Sequence, residues 1–93
     1  MVYVRRLIWD PGNVAHIARH EVTVEEVEEV CQGAHIQGQA YAGRIMVIGT
    51  TGAGRMLSVV MEPYPAEAGV YYLVTARPAS RKERRVFLGE KGA

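Results

Sequence analysis

Ninety-three residues, 48% hydrophobic and 23% charged, describe one ordered domain spanning residues 1–93 with a single core, and exclude a low-complexity or disordered chain. Net charge is only +1, yet residues 1–46 carry four Lys or Arg against six acids and residues 47–93 carry seven against four, so one face can meet an anionic partner while another does not. No apolar run approaches the roughly 18 residues of a membrane span, no export signal opens the chain, and the single Cys31 cannot close an internal disulfide, which together suggest a cytoplasmic protein without membrane contact.

In chain order, residues 3–9 (YVRRLIW) are β-branched and aromatic enough for a first strand, with Arg5 and Arg6 suited to a sheet edge. Asp10 and Pro11 supply an N-cap and a first helical residue, and Val14, Ile17 and Ala18 follow at the spacing of one buried helix face over about 11–20. Thr23 and Glu26 form a capping box, flanked by Val22 and Val27 as its hydrophobic staple. The helix they open, 24–31, turns Val24, Val27, Val30 and Cys31 inward and Glu25, Glu28 and Glu29 to solvent. Cys31 reads as a small buried apolar residue.

Residues 32–42 lack periodicity and read as a loop or weak strand. Arg44–Thr50 and Arg55–Met61 are apolar runs joined by Thr51-Gly52-Ala53-Gly54, the pattern of a hairpin. GTTGAGR lacks the Lys-Ser/Thr of a phosphate-binding loop and leads into a strand, so its glycines serve the turn. Val70–Ala76 is a further strand, and Ser80 with Glu83 open a last helix to about Leu88. The order β-α-α-β-β-β-α predicts an α+β domain, its helices covering one face of a small, mostly antiparallel sheet.

In the last helix, Arg81, Arg84 and Arg85 share a face with Leu88, while Ala79, Val86 and Phe87 can turn toward the sheet. Five of the nine residues from Arg77 to Arg85 are cationic, Lys82 included, and arginine matches phosphate oxygens in a planar fork. The stripe is therefore either a phosphodiester-binding surface or a solvated face. Trp9, Tyr71 and Tyr72 suit either stacking on bases or the core. His16 and His20 stand four apart, a spacing that can share a metal, but no H-E-x-x-H glutamate or cysteine pattern completes a site, and no metal or other cofactor is expected.

IWDP at 8–11, RHEVTVEEVEEV at 19–30, GRIMVIGTTGAGRMLSVV at 43–60 and TARPASRKERRVF at 75–87 together resemble the BrnT family of toxins, in the family's order and over most of the chain. The resemblance implies a RelE-like ribonuclease fold, and the toxin of a type II toxin–antitoxin pair silenced by a BrnA-like antitoxin. It further implies metal-independent cleavage of RNA through the ribose 2′-hydroxyl, and contact with DNA only indirectly, through the antitoxin complex. Arg77 and His20 match motif positions. From side-chain chemistry, Arg77 is expected to stabilise the phosphate, helped by Arg81, with His20 moving the proton, Arg19 as a second phosphate contact and Tyr72 as the alternative proton carrier. Arg81, Lys82, Arg84, Arg85 and Trp9 are the expected RNA contacts, and a homodimer or a heterotetramer with the antitoxin is the expected assembly.

The chain departs from the family pattern at Gly12 or Asn13, where a lysine is usual, at His16 for an asparagine, at Glu21 for a glycine, and at Tyr72 for an arginine. Tyrosine can transfer a proton but is no fixed cation. A second reading therefore stands beside the ribonuclease: a catalytically degenerate module that binds a protein and nucleic acid without cutting. A third is a basic domain whose charge serves solubility.

Overall fold

A computed structural model describes residues 2–92, with side chains described through residue 89. Its elements are β1 (Arg6–Ile8), α1 (Pro11–Ala18), α2 (Val24–Gln32), β2 (His35–Gln39), a 3-10 turn (Tyr41–Gly43), β3 (Ile45–Thr50), β4 (Met56–Pro63), β5 (Val70–Pro78) and α3 (Arg81–Gly92). The five strands form one sheet in the order β1-β5-β4-β3-β2. Strands β2 to β5 are an antiparallel meander, but β1 runs parallel to β5, so the sheet is mixed and not antiparallel throughout. The connection through the two helices returns the chain so that β2 runs opposite to β1, and the three reversals after β2 bring β5 back into the direction of β1.

Local start signals act as expected. Asp10 accepts the Asn13 amide at 2.8 Å while the Asn13 side chain accepts the Asp10 amide at 2.9 Å. Thr23 and Glu26 close the same reciprocal box on α2, and the staple residues Val22 and Val27 are both buried. Thr51 and Gly54 close the hairpin turn, where Gly54 takes a φ of +88° that costs a side-chain-bearing residue most.

The inward face of α1 differs from the periodic expectation. Ile17 is buried, but its inward neighbour is Asn13, while Val14 is 38% exposed and Ala18 is also exposed. Asn13 takes that place because its amide reaches two backbone carbonyls, Ile8 at 3.1 Å and Leu73 at 2.9 Å, which an apolar side chain would leave unpaired. The ambiguous 32–42 stretch becomes edge strand β2 and the 3-10 turn, its composition masking pairing that depends on β3.

Helices α1 and α2 cover one sheet face, where Ile17, Val27, Val30 and Cys31 pack with Val47, Leu57, Val59, Met61, Leu73 and Ala76. Full burial of each large apolar side chain stabilises by about 1.5–3 kcal/mol. The third helix lies on the opposite face, where Phe87 packs with Ile48 and Met56, so the helices do not share one face. Inward positions of α3 are Glu83 and Phe87, one turn apart; Val86 is 48% exposed, contrary to its expected role as an anchor. The helix also runs past Leu88 to Gly92. Among the described residues no helix is long and apolar enough to cross a membrane.

Candidate nucleic-acid interface

Side chains alternate across a sheet, so the register lays out rows on the face that α3 shares. Arg77, Ser58, Ile48 and Ile36 form the row beneath the helix. Thr75, Val60, Met46 and Gly38 form the next, all half-buried. Beyond a bulge that leaves Val74 without a partner on β4 come Ile8, Tyr72 and Glu62. Phe87 of α3 packs on Ile48 and Met56, with Ile36 and Met46 against that cluster, so the face divides into a part covered by the helix and a part beside it where Thr75, Val60 and Tyr72 stay half-buried.

Arg77 stands at the boundary between the two. Its Nη1 and Nη2 donate to the two oxygens of Glu83, each at 2.8 Å, and Nη1 also donates to the Pro78 carbonyl at 3.2 Å. Glu83 further accepts the Ser80 amide at 2.8 Å and the Ser58 hydroxyl at 3.4 Å. Arg77, followed by Ser80, holds the Glu83 carboxyl below the usual carboxylate range, and the pairing raises the guanidinium in turn. The charge of Arg77 is thus partly neutralised within the protein, while 43% of its side chain stays exposed against 15% for Glu83.

Tyr72 donates to Asp10 Oδ2 at 2.6 Å. That bond, ahead of the Asn13 amide, lowers the Asp10 carboxyl, and it is also the main reason the Tyr72 phenol is raised. A Tyr72→Phe substitution therefore moves the Asp10 midpoint up toward the ordinary 3.8, readable from the carboxyl carbon by NMR. Because the folded-state value is depressed, the stabilisation from this contact is present above the ordinary carboxyl range and is lost as pH falls through the depressed value. An unmoved midpoint in the phenylalanine variant would show that the phenol does not set it.

Arg81, Lys82, Arg84 and Arg85 are exposed along α3, and none forms an ion pair with a described residue. Five of the expected site residues thus gather at one end of the sheet: Arg77 and these four. Arg19 and His20 fall elsewhere. They follow α1, which packs on the opposite face, and the rings of His20 and His16 meet edge to face with centroids 5.5 Å apart. No cluster of three or more metal-ligating side chains occurs among the described residues. Trp9 is also held away, half-buried against the α1/α2 core with its indole N–H donating to Glu28 at 3.2 Å. Gly12 lies in the first turn of α1, and Glu21, just after that helix, has a φ of +59°.

Sequence reasoning missed Asp10 and Glu83 as partners of the site, having read both as caps, and missed Arg44. That arginine stacks over Tyr41, 4.9 Å from the ring centroid, and lies 3.6 Å from Glu62, close enough for an ion pair but too far for a hydrogen bond, leaving its buried Nε–H without one. Cys31 packs in the core, and burial pushes its thiol up to about 12, so it stays neutral and unreactive at ordinary pH. The chain matches neither the models of known protein families nor any curated protein.

Proposed function

We propose that the chain is an RNA-directed toxin resembling the BrnT family, with a RelE-like ribonuclease fold. In this reading it works in the cytoplasm, without metal, and is neutralised by a BrnA-like antitoxin that covers the basic surface, as a homodimer or a heterotetramer with that antitoxin. One observation carries the reading: four exposed cations of α3 continue the charge of Arg77 beside the half-buried part of the sheet face. An antitoxin segment that competes for this surface must present acidic groups where RNA presents phosphates.

In the reaction proposed, the ribose 2′-oxygen bonds to phosphorus as the bond from phosphorus to the 5′-oxygen breaks, leaving a 2′,3′-cyclic phosphate. The 2′-proton passes to a base and the leaving oxygen takes one from an acid. Arg77 stabilises the charge on phosphorus, and Tyr72 with Asp10 is the titratable pair on its face. The test is cleavage of an end-labelled RNA in EDTA by the chain and by a folded Arg77→Ala variant. Cyclic-phosphate ends from the parent, and a rate at least about a hundredfold lower in the variant, are the expected result; equal rates would remove Arg77 from the mechanism.

The degenerate binding module keeps a specific observation in its favour. Asp10 is depressed and Tyr72 raised, so both titrate far from neutrality, where a general acid or base works best. No cleavage by a folded parent, on free RNA or on translating ribosomes, selects that reading.

A further inference from the structure

Two of the donors on Arg77 have no partner among the described residues, and they form a pair. A guanidinium carries five N–H groups. Both hydrogens of Nη1 are engaged, one by Glu83 and one by the Pro78 carbonyl, and one hydrogen of Nη2 is engaged by Glu83. What remains is Nε–H and the second Nη2 hydrogen, which lie side by side along one edge of the planar group. That edge is a two-pronged donor matched to two oxygens of one phosphate.

We propose that Glu83 is a positioning residue: it anchors the far end of Arg77 so that the Nε/Nη2 edge is the one presented to a single RNA phosphodiester. The anchor is held from two sides. The carboxylate is tied to the Ser80 amide at the start of α3 and to the hydroxyl of Ser58, which lies opposite Arg77 on β4, so both helix and sheet fix its place. Arg77 itself is held at its other end by β5. A guanidinium immobilised in this way loses less freedom on binding than a free arginine does. The inference rests on the RNA-directed reading above and adds to it how Arg77 holds its ligand.

The deciding variant is Glu83→Gln. It removes a negative charge from a basic surface, so attraction alone predicts tighter binding of a fluorescent single-stranded RNA. Positioning predicts the reverse, about tenfold weaker binding. Glutamine retains a side-chain oxygen for the Ser80 amide, and circular dichroism and a thermal melt check the fold. A second measurement needs no variant: the Arg77 Nε–H resonance of the parent shifts as the RNA is added. Equal or tighter binding by folded Glu83→Gln, or an unmoved Nε–H signal in RNA-bound parent, overturns the positioning role and leaves the RNA reading in place. A parent that binds no RNA overturns both.

Discussion

An Arg81→Glu/Arg84→Glu/Arg85→Glu variant is expected to lose single-stranded RNA affinity by about a thousandfold or more at low salt, and to bind with a flatter salt dependence. Each cation that neutralises a phosphate releases bound counterions, and for single strands the slope of log affinity against log salt is about 0.7 per contact. Three lost contacts lower the slope by about two, and the new glutamates add repulsion. The fold should not suffer. All three side chains are exposed, none pairs with a described acid, and the inward positions Glu83 and Phe87 are untouched. Acidic residues near the start of a helix are favourable to its dipole, so the thermal midpoint is expected to hold or rise. Anisotropy across a salt series measures both quantities. Unchanged affinity and slope would reduce the stripe to a solvated face, the reading in which its charge serves solubility.

An Asn13→Ala variant is expected to lose about 3 kcal/mol of stability, measured as a shift in the urea midpoint at constant slope. Asn13 is 4% exposed and uses both amide hydrogens, on Ile8 and Leu73 carbonyls, while its oxygen takes the Asp10 amide. Truncation leaves three backbone groups short of a partner, at roughly 1 kcal/mol each. The effect reaches the candidate site because β1 has only three residues and pairs on one side, with Ile8 opposite Tyr72. Asn13 is the bolt between β1 and β5, and Asp10, which receives the Tyr72 phenol, sits in the same capping box. Loss of less than about 1 kcal/mol would mean that water reaches the freed carbonyls and the bolt is dispensable.

Asn13 also shows why periodicity misjudged α1. Apolar spacing put Val14, Ile17 and Ala18 inward, but two unpaired carbonyls on separate strands made an amide the better inward residue, and those carbonyls are visible only once β1 and β5 lie side by side. Val86 and Phe87 raise the same point in α3: both are apolar neighbours, and the position of Ile48 and Met56 beneath the helix decides that Phe87 alone is covered.

What the amino-acid order determined by itself was local: the N-cap at Asp10, the reciprocal caps at Thr23 and Ser80, the Thr51–Gly54 turn, the apolar strand runs and the concentration of cations after Arg77. These depend on groups a few residues apart, whose geometry the backbone constrains directly. Strand direction at β1, the face on which α3 lies, the division of Arg77 from His20 and Arg19, and the union of Arg77 with Glu83 and of Tyr72 with Asp10 were decided by tertiary structure. Each depends on pairing register and on which face a crossing helix buries, and a residue's neighbours in sequence carry no record of either.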